Sequence, residues 1–336
     1  MSYKRVVIEK FGGPEVLSLV EEPVLPEPEA NEVRVQVLAT SANFTDVMIR
    51  KGMYPEVKQK PPFSPGYDMV GVVDGVGENV TRFREGDKVA DMTVIGSYSE
   101  YICVPEKRLI HVPDRLDPAE ATSIILSYVT AWQMLHRIAR VKKGQKILVH
   151  GAGGAVGMAM LQLGKLMDLE MYGTASGSKH EMIKTAGAIP IDYKTTDFTD
   201  YIKNHTEEGL DAVFDPIGGD HFRKSFSILR KGGKLVAYGF YNAVMGHGGS
   251  IPMDFMKLQL WNILPNGKSA TFYSIGALRR KHPDWFREDL TALFKMLAEK
   301  KIKPHVAGHY PLEQAQEVHR LIEDAKIKGK IVFDLS

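Results

Sequence analysis

Anion-binding chemistry is concentrated where the run Lys146-Ile-Leu-Val-His150 passes into Gly151, Ala152, Gly153, Gly154, Ala155, Val156 and Gly157. A strand that ends in a tight glycine turn and opens a helix leaves backbone N–H groups unpaired at the helix N-terminus. Those donors, with the helix dipole behind them, suit a pyrophosphate, and glycines let it approach the backbone. The spacing Gly151-x-x-Gly154-x-x-Gly157 departs from strict GxGxxG, because Val156 stands where a glycine would be. Such a pattern alone is weak evidence, and a ligand-free glycine turn is the competing reading. Its strand–turn–helix setting is what the mechanism requires. About 20 residues on, where an acidic residue would hold the ribose of NAD, the chain reads Thr174-Ala-Ser176-Gly-Ser-Lys179, with no Asp or Glu before Glu181. A small polar loop with a cation suits a 2′-phosphate, which a carboxylate would repel. Ser176 and Lys179 therefore favour NADPH over NADH, although Lys179 by itself also reads as a solvated surface lysine.

A second constellation is Asn43, Asp46, Arg50 and Tyr54. Asp46 and Arg50 are four apart, which on a helical turn pairs them on one face. On spacing alone that is a surface ion pair worth under about 1 kcal/mol. A tyrosine with an ordinary pKa near 10 is protonated at neutral pH and can donate a hydrogen bond or a proton. Tyr54 and Tyr67 can each act so, or pack as plain aromatics.

Two kinds of element must position these groups. From Tyr3 to about Thr122 the chain reads as short strands broken by Gly and Pro, such as Val33–Val37, Val70–Val73 and Lys88–Ala90; Glu21–Pro28 is too proline-rich for a regular element. From about Ser123 to Ile275, strands at Lys146–His150, Glu170–Ala175, Ala212–Phe214 and Leu235–Tyr238 alternate with helical segments such as Val156–Met167. That alternation predicts βαβ units and a parallel sheet. Helices at Asp284–Lys300 and Leu312–Ala325 and a strand at Lys330–Asp334 follow.

With 336 residues, 44% hydrophobic and 25% charged, the chain has the make-up of a soluble globular protein, long enough for about two domains. Lys and Arg number 43 against 41 Asp and Glu, a net +2, so no overall field draws nucleic acid or an anionic membrane. The basic run Arg279-Arg-Lys-His282 reads as a solvated loop before a helix. One cysteine, Cys103, makes neither an internal disulfide nor a multi-cysteine zinc cluster. Val6-Val7-Ile8 is too short for a signal peptide and no apolar run reaches membrane-spanning length. The expectation is a cytoplasmic protein. Met158, Met160, Leu161 and Met167 read as helix packing.

The motifs together resemble the medium-chain dehydrogenases/reductases, and most closely their zinc-independent quinone oxidoreductase branch, which includes vesicle amine transport protein homologues. The resemblance rests on Asn43-Phe-Thr-Asp-Val-Met-Ile-Arg50-Lys-Gly-Met-Tyr54-Pro, Pro65-Gly-Tyr-Asp-Met-Val-Gly-Val-Val73, Gly86-Asp-Lys-Val89 and Gly96-Ser-Tyr-Ser-Glu-Tyr101. The glycine turn, Phe214-Asp-Pro-Ile-Gly-Gly219, Leu229-Arg-Lys-Gly-Gly-Lys234 and Lys328-Gly-Lys-Ile-Val332 extend it over nearly the whole chain. It implies an α/β fold with a β-rich GroES-like catalytic domain (residues 1–124), a Rossmann doubly wound parallel-sheet cofactor domain (125–275), and a C-terminal return to the first (276–336). By the same resemblance Asn43, Asp46, Arg50 and Tyr54 line the substrate cleft and Thr130 meets the nicotinamide. Tyr193 and Lys179 would lie against the adenosine phosphate. Ile217 and the turn Tyr238-Gly239-Phe240 follow strands of the sheet, where ligands bind; here Phe240 and Tyr241 are bulkier than the family's usual residues. The protein would be a homodimer.

Zinc-dependent relatives carry Cys where Asn43 stands and His where Tyr67 stands, and neither Asn nor Tyr is a usual zinc ligand. Without that Lewis acid, hydride from a nicotinamide suits acceptors that are already electron-poor, quinones and α,β-unsaturated carbonyls. The alternative is a catalytically weak NADPH-binding protein of the same fold with a binding, lipid-handling or structural role. Elemental analysis of the purified protein is expected to find no stoichiometric zinc, and activity is expected to survive a chelator. One metal per chain, removable with loss of turnover, would contradict the reading of Asn43 and Tyr67.

Overall fold

The computed structural model describes residues 1–324, 327 and 329–335. They fall into two compact units, Met1–Val129 with Asp284–Ser336, and Thr130–Pro283. The second unit includes the strand Ser269–Phe272 and the helix Ile275–Lys281.

The first unit is built on a seven-stranded mixed sheet in the order Val306–Tyr310, Lys330–Asp334, Glu32–Ala42, Met69–Val76, Lys88–Asp91 and Ile110–His111, with Tyr101–Pro105 also pairing the Glu32–Ala42 strand. Val33, Val35 and Val37 alternate inward against Met69, Val89 and Val104, and Gln36 between them faces solvent. A strand buried on one face requires that alternation. The Lys330–Asp334 strand pairs antiparallel with Glu32–Ala42, placing Ile331 opposite Ala42 and so bringing the chain's last strand next to Asn43. The helix Phe44–Arg50 starts there, its N-cap Asn43 donating its backbone N–H to the Asp46 carboxylate at 2.9 Å. Of the expected helix Leu312–Ala325, Leu312–Gln314 is a 3-10 turn and Ala315–Glu323 is α-helical; Ala325 and Lys328 lie outside the described residues.

The second unit holds a six-stranded sheet, all parallel, in the order Ile189–Asp192, Glu170–Ala175, Lys146–His150, Leu210–Asp215, Leu229–Ala237 and Ser269–Phe272. Ile147, Leu148 and Val149 are all fully buried, as a central parallel strand covered on both faces must be. Strand order runs outward in both directions from the pair Lys146–His150 and Leu210–Asp215. That pair is the topological switch point, outside whose carboxyl ends ligands bind in such sheets. The basic run Arg279–Lys281 is the last turn of the helix Ile275–Lys281 and not a loop, corrected because Ser274 caps that helix by accepting the Ala277 N–H at 3.2 Å. Among the described residues no helix is long and apolar enough to cross a membrane.

Candidate functional site

In the second unit the helix Ala155–Leu166 begins at Gly154, whose backbone is extended (φ −90°, ψ 174°) and which offers no side-chain cap. The first N–H groups of that helix therefore have no partner within it. A Cβ at Gly154 would meet one atom, the Gly151 carbonyl oxygen at 3.3 Å, so sterics alone do not demand glycine there. Gly157 differs: a Cβ would lie 2.5 Å from the Gly151 oxygen and 2.6 Å from Ala152 Cα, so its bareness lets the helix sit on the turn. Gly151 holds φ +64°, the left-handed region that favours glycine. Ala152 is buried beneath the turn, and Ala155 and Val156 are half-buried. The stem of Lys179 crosses Gly153, where a Cβ would strike its Cδ at 2.5 Å. Unpaired N–H groups at a helix start, with a lysine along one wall, have the chemistry that suits the pyrophosphate of a dinucleotide.

Around the glycine turn, Ser176 and Ser178 place their hydroxyl oxygens 3.3 Å apart. The neighbouring strand brings one carboxylate beside them, since a Cβ at Gly177 would lie 3.1 Å from Asp192 Oδ2. Tyr193 stands exposed after that strand. Ile217 is half-buried at the end of the next, and Thr130 is buried in the helix Pro118–Trp132. Tyr238 and Gly239 follow Leu229–Ala237; a Cβ on Gly239 would lie 2.7 Å from the Pro216 oxygen, so that turn needs glycine for its close approach to the 216–219 loop. The Phe240 ring points into the apolar core of this unit. It is buried in the core, stacked on Phe272 at 4.8 Å and 5.1 Å from Phe255, because a bulky apolar ring gains more from that packing than from solvent.

The first unit gathers a different set. Asp46 and Arg50 do not pair, contrary to the expectation from their spacing. Asp46 is consumed at the helix start, accepting from Asn43 N and, at 3.2 Å, from Gly66 N. Arg50 is fully buried and donates to the Gly12 carbonyl at 3.1 Å and to Glu323 at 2.8 Å, with Nη1 3.1 Å from His319 Nδ1. Every one of its nitrogens is thus placed in structural contacts. Burial, and then the Asp68 carboxylate, push Asp46 up to about 7, although the Asn43 N–H and Lys330 pull the other way. Asn43 also lacks spare capacity: its amide donates to the Ser41 carbonyl at 2.9 Å, and its Oδ1 accepts from the Lys330 ammonium. Lys330 is buried, touches Ser127 Oγ at 3.2 Å, and burial lowers its affinity for the proton. Asp68 accepts from Ser41 N at 2.9 Å and Thr122 Oγ1 at 3.1 Å. Beside this cluster the hydroxyls of Tyr54 and Tyr67 meet at 2.6 Å, with their rings edge to face 5.7 Å apart.

Residues 29–114 match the alcohol dehydrogenase GroES-like domain and residues 186–333 the zinc-binding dehydrogenase family. The chain is 31% identical to the synaptic vesicle membrane protein VAT-1 homolog of Danio rerio, over 99% of its own length and 70% of that protein's. It is 30% identical to the quinone oxidoreductase of Homo sapiens, over 98% of this chain and 97% of that one. The crystal structure of the Escherichia coli quinone oxidoreductase, complexed with NADPH, superposes with a TM-score of 0.89 at 27% identity, covering 98% of this chain and 99% of that one. The chain belongs to the zinc-independent quinone oxidoreductase branch of the medium-chain dehydrogenases/reductases. It is an oxidoreductase by that membership, with the GroES-like and Rossmann architecture of the family.

Zinc does not fit the first unit of this oxidoreductase. Neither Asn43 nor Tyr67 is a zinc ligand, and the Lys330 ammonium on Asn43 already brings a cation to that point. Among the described residues, the one convergence of three metal-type side chains is His150, Asp215 and His221 in the second unit, with donor atoms within 4.8 Å of one another. The chain's one His-x-x-x-His spacing, His305 to His309, runs along the extended segment entering the Val306–Tyr310 strand, so it does not stack the rings as a helix would. Lys330 and Asp68 are the residues that sequence reasoning passed over. The available signal was a lysine heading the apolar run Ile331–Phe333.

Replacing Gly154 with Val is expected to leave the protein folded, because an extended backbone tolerates the residue and the single close neighbour can give by a few tenths of an ångström. NADPH affinity should fall by about two to four powers of ten, the loss of two charge-assisted hydrogen bonds. Melting temperature and NADPH titration on one preparation check this. A variant that melts early yet binds normally would make the turn purely structural.

Proposed function

We propose that this oxidoreductase reduces quinones or α,β-unsaturated carbonyls with NADPH, by hydride transfer and without a metal. The observation that carries the reading is the Tyr54–Tyr67 hydroxyl pair, standing where metal-dependent relatives place a zinc ligand. A bound nicotinamide supplies a hydride, that is two electrons and one proton, so reduction to the hydroquinone or saturated carbonyl takes up one further proton. Burial, and then the neighbouring Tyr54, hold the Tyr67 hydroxyl well above its ordinary pKa, so it keeps its proton at neutral pH. Tyr67 can hand a hydrogen bond to Tyr54, and the half-buried Tyr54 hydroxyl would turn its own proton to a developing oxyanion when a substrate is bound. Asn43, Asp46 and Arg50 hold the surrounding backbone in place; their hydrogen bonds are taken up within the protein. In the second unit the Ala155–Leu166 N-terminus would take the pyrophosphate, with Lys179 and Ser176 toward a 2′-phosphate and the Asp192 carboxylate beside Gly177 opposing it. The NADPH complex of the Escherichia coli relative supports that choice of cofactor.

A second reading, a catalytically weak NADPH-binding protein with a binding or lipid-handling role, draws on exposed apolar side chains of the helix Ile251–Asn262: Met253, Phe255, Met256 and Leu260. The vesicle-membrane names of several relatives point the same way. A cytoplasmic homodimer is part of the first proposal.

NADPH is expected to bind at least about tenfold more tightly than NADH, the discrimination of a single added ionic contact of about 1.4 kcal/mol. Titration of both cofactors at one ionic strength tests it; equal affinities would remove the argument from Ser176 and Lys179. A panel of quinones and enones with NADPH separates the two functional readings, since only turnover oxidises the cofactor. Tyr54→Phe should lower kcat on active substrates by about a hundredfold, the usual scale of one general acid, with the KM for NADPH unchanged. Unaltered kcat would assign the proton to solvent.

A further inference from the structure

Beneath the glycine turn lies a polar chain that the proposed reaction does not use. His150 ends the strand that feeds the glycine turn, and its imidazole is fully buried. Its Nδ1 is 2.9 Å from Thr174 Oγ1 and its Nε2 is 3.1 Å from Ser225 Oγ. Ser225 in turn donates to Asp215 Oδ2 at 2.6 Å. Since that hydroxyl has one proton and gives it to the carboxylate, it accepts from His150 Nε2–H, and His150 Nδ1 accepts from Thr174. All donors therefore run one way and end on Asp215. Burial, and then His221, keep His150 neutral by driving its pKa down to about 3, which this direction requires.

Asp215 has no exposure to solvent, yet it is the terminal acceptor of three hydrogen bonds. Besides Ser225, Oδ1 takes the Ile217 N–H at 2.7 Å and Oδ2 lies 2.8 Å from His221 Nδ1. Burial would raise this carboxyl, but His221 first, with His150 and Ser225 behind it, holds it down at about 2. The Ile217 bond shapes the 216–219 loop, whose Pro216 and Ile217 carbonyls accept from Tyr241 N at 3.0 Å and Asn242 N at 2.9 Å. A second buried carboxylate, Asp254, pins the far end of the loop through Gly219 N at 2.8 Å. His150 and Asp215 are the last residues of the two strands flanking the topological switch point, so the network ties the glycine turn and the 216–219 loop to one another.

We propose that His221 is a positioning residue for the cofactor: by donating to Asp215 it holds the 216–219 loop and the glycine turn in the shape that receives the dinucleotide. The proposal rests on NADPH binding in this unit. His221 is the only member of the chain that reaches solvent, its side chain 23% exposed. Its ring packs 4.9 Å from Phe198 and 4.3 Å from His150, so packing and hydrogen bonding must be told apart.

Two substitutions do that. His221→Phe keeps a ring and loses the donor, whereas His221→Asn loses the ring and keeps a donor near the place of Nδ1. The readouts are amide exchange of Ile217 in the cofactor-free protein, NADPH affinity by titration, and the KM for a quinone. His221→Phe is expected to speed Ile217 exchange and weaken NADPH binding at least about tenfold, with the quinone KM unchanged; His221→Asn should stay within about threefold of the parent in all three. The inverse pattern, with Phe tolerated and Asn impaired, would overturn the proposal in favour of packing. Unchanged exchange and affinity in both variants would overturn it outright. If the parent protein binds no NADPH while Ile217 exchange still follows the donor, the cofactor reading fails and the loop strap stands.

Discussion

A charge shut away from water must be met by a partner of opposite sign or by several hydrogen bonds, and in both units that constraint sets the local architecture. In the first, the Lys330 ammonium is buried on Asn43 and Ser127, with the carboxylates of Asp46 and Asp68 within its electrostatic reach. In the second, the Asp215 carboxylate collects Ile217 N, Ser225 and His221. In either arrangement the loss of one member leaves the buried charge less well met, with no solvent to make up the difference.

The first unit shows how a family scaffold can leave metal chemistry behind without leaving a hole. The position that carries a thiolate in metal-dependent relatives holds an amide, and a lysine from the last strand supplies the positive charge nearby. The imidazole position holds Tyr67, whose hydroxyl is shared with Tyr54. In the proposed reaction this pair of weak acids would give a proton or a hydrogen bond to an acceptor already prone to take a hydride.

The second unit separates two meanings of glycine. Gly157 and Gly239 are bare because backbone lies where a side chain would go, while Gly154 faces a single neighbour and opens the helix N-terminus. Sequence spacing treats the three alike. Only the surroundings tell the packing glycines from the one whose empty space is available to a ligand.

Much of the fold was legible because it is written in local periodicity. The Lys146–His150 strand, the helix after it, the last strand and the two-part organisation follow from alternation, apolar runs and glycine punctuation, which act over a few residues. The short strands Ile189–Asp192, Ser269–Phe272 and Val306–Tyr310 were not, since four or five residues with little alternation carry too weak a signal. Around the proposed cofactor site, the strand–turn–helix geometry was readable because its three parts are contiguous. The pairing of Asp46 with Arg50 was misread, since helical spacing says which groups share a face but not what a residue far along the chain brings to it. Glu323 and His319 take Arg50, and the backbone N–H groups of Asn43 and Gly66 take Asp46. The sequence by itself determined the longer elements, the glycine turn between strand and helix, and the unsuitability of Asn43 and Tyr67 for zinc, all properties of residue type and near neighbours. Only the tertiary structure decided which buried charges meet, Lys330 with Asn43 and His221 with Asp215, because those contacts depend on strand register and helix placement that no local pattern encodes.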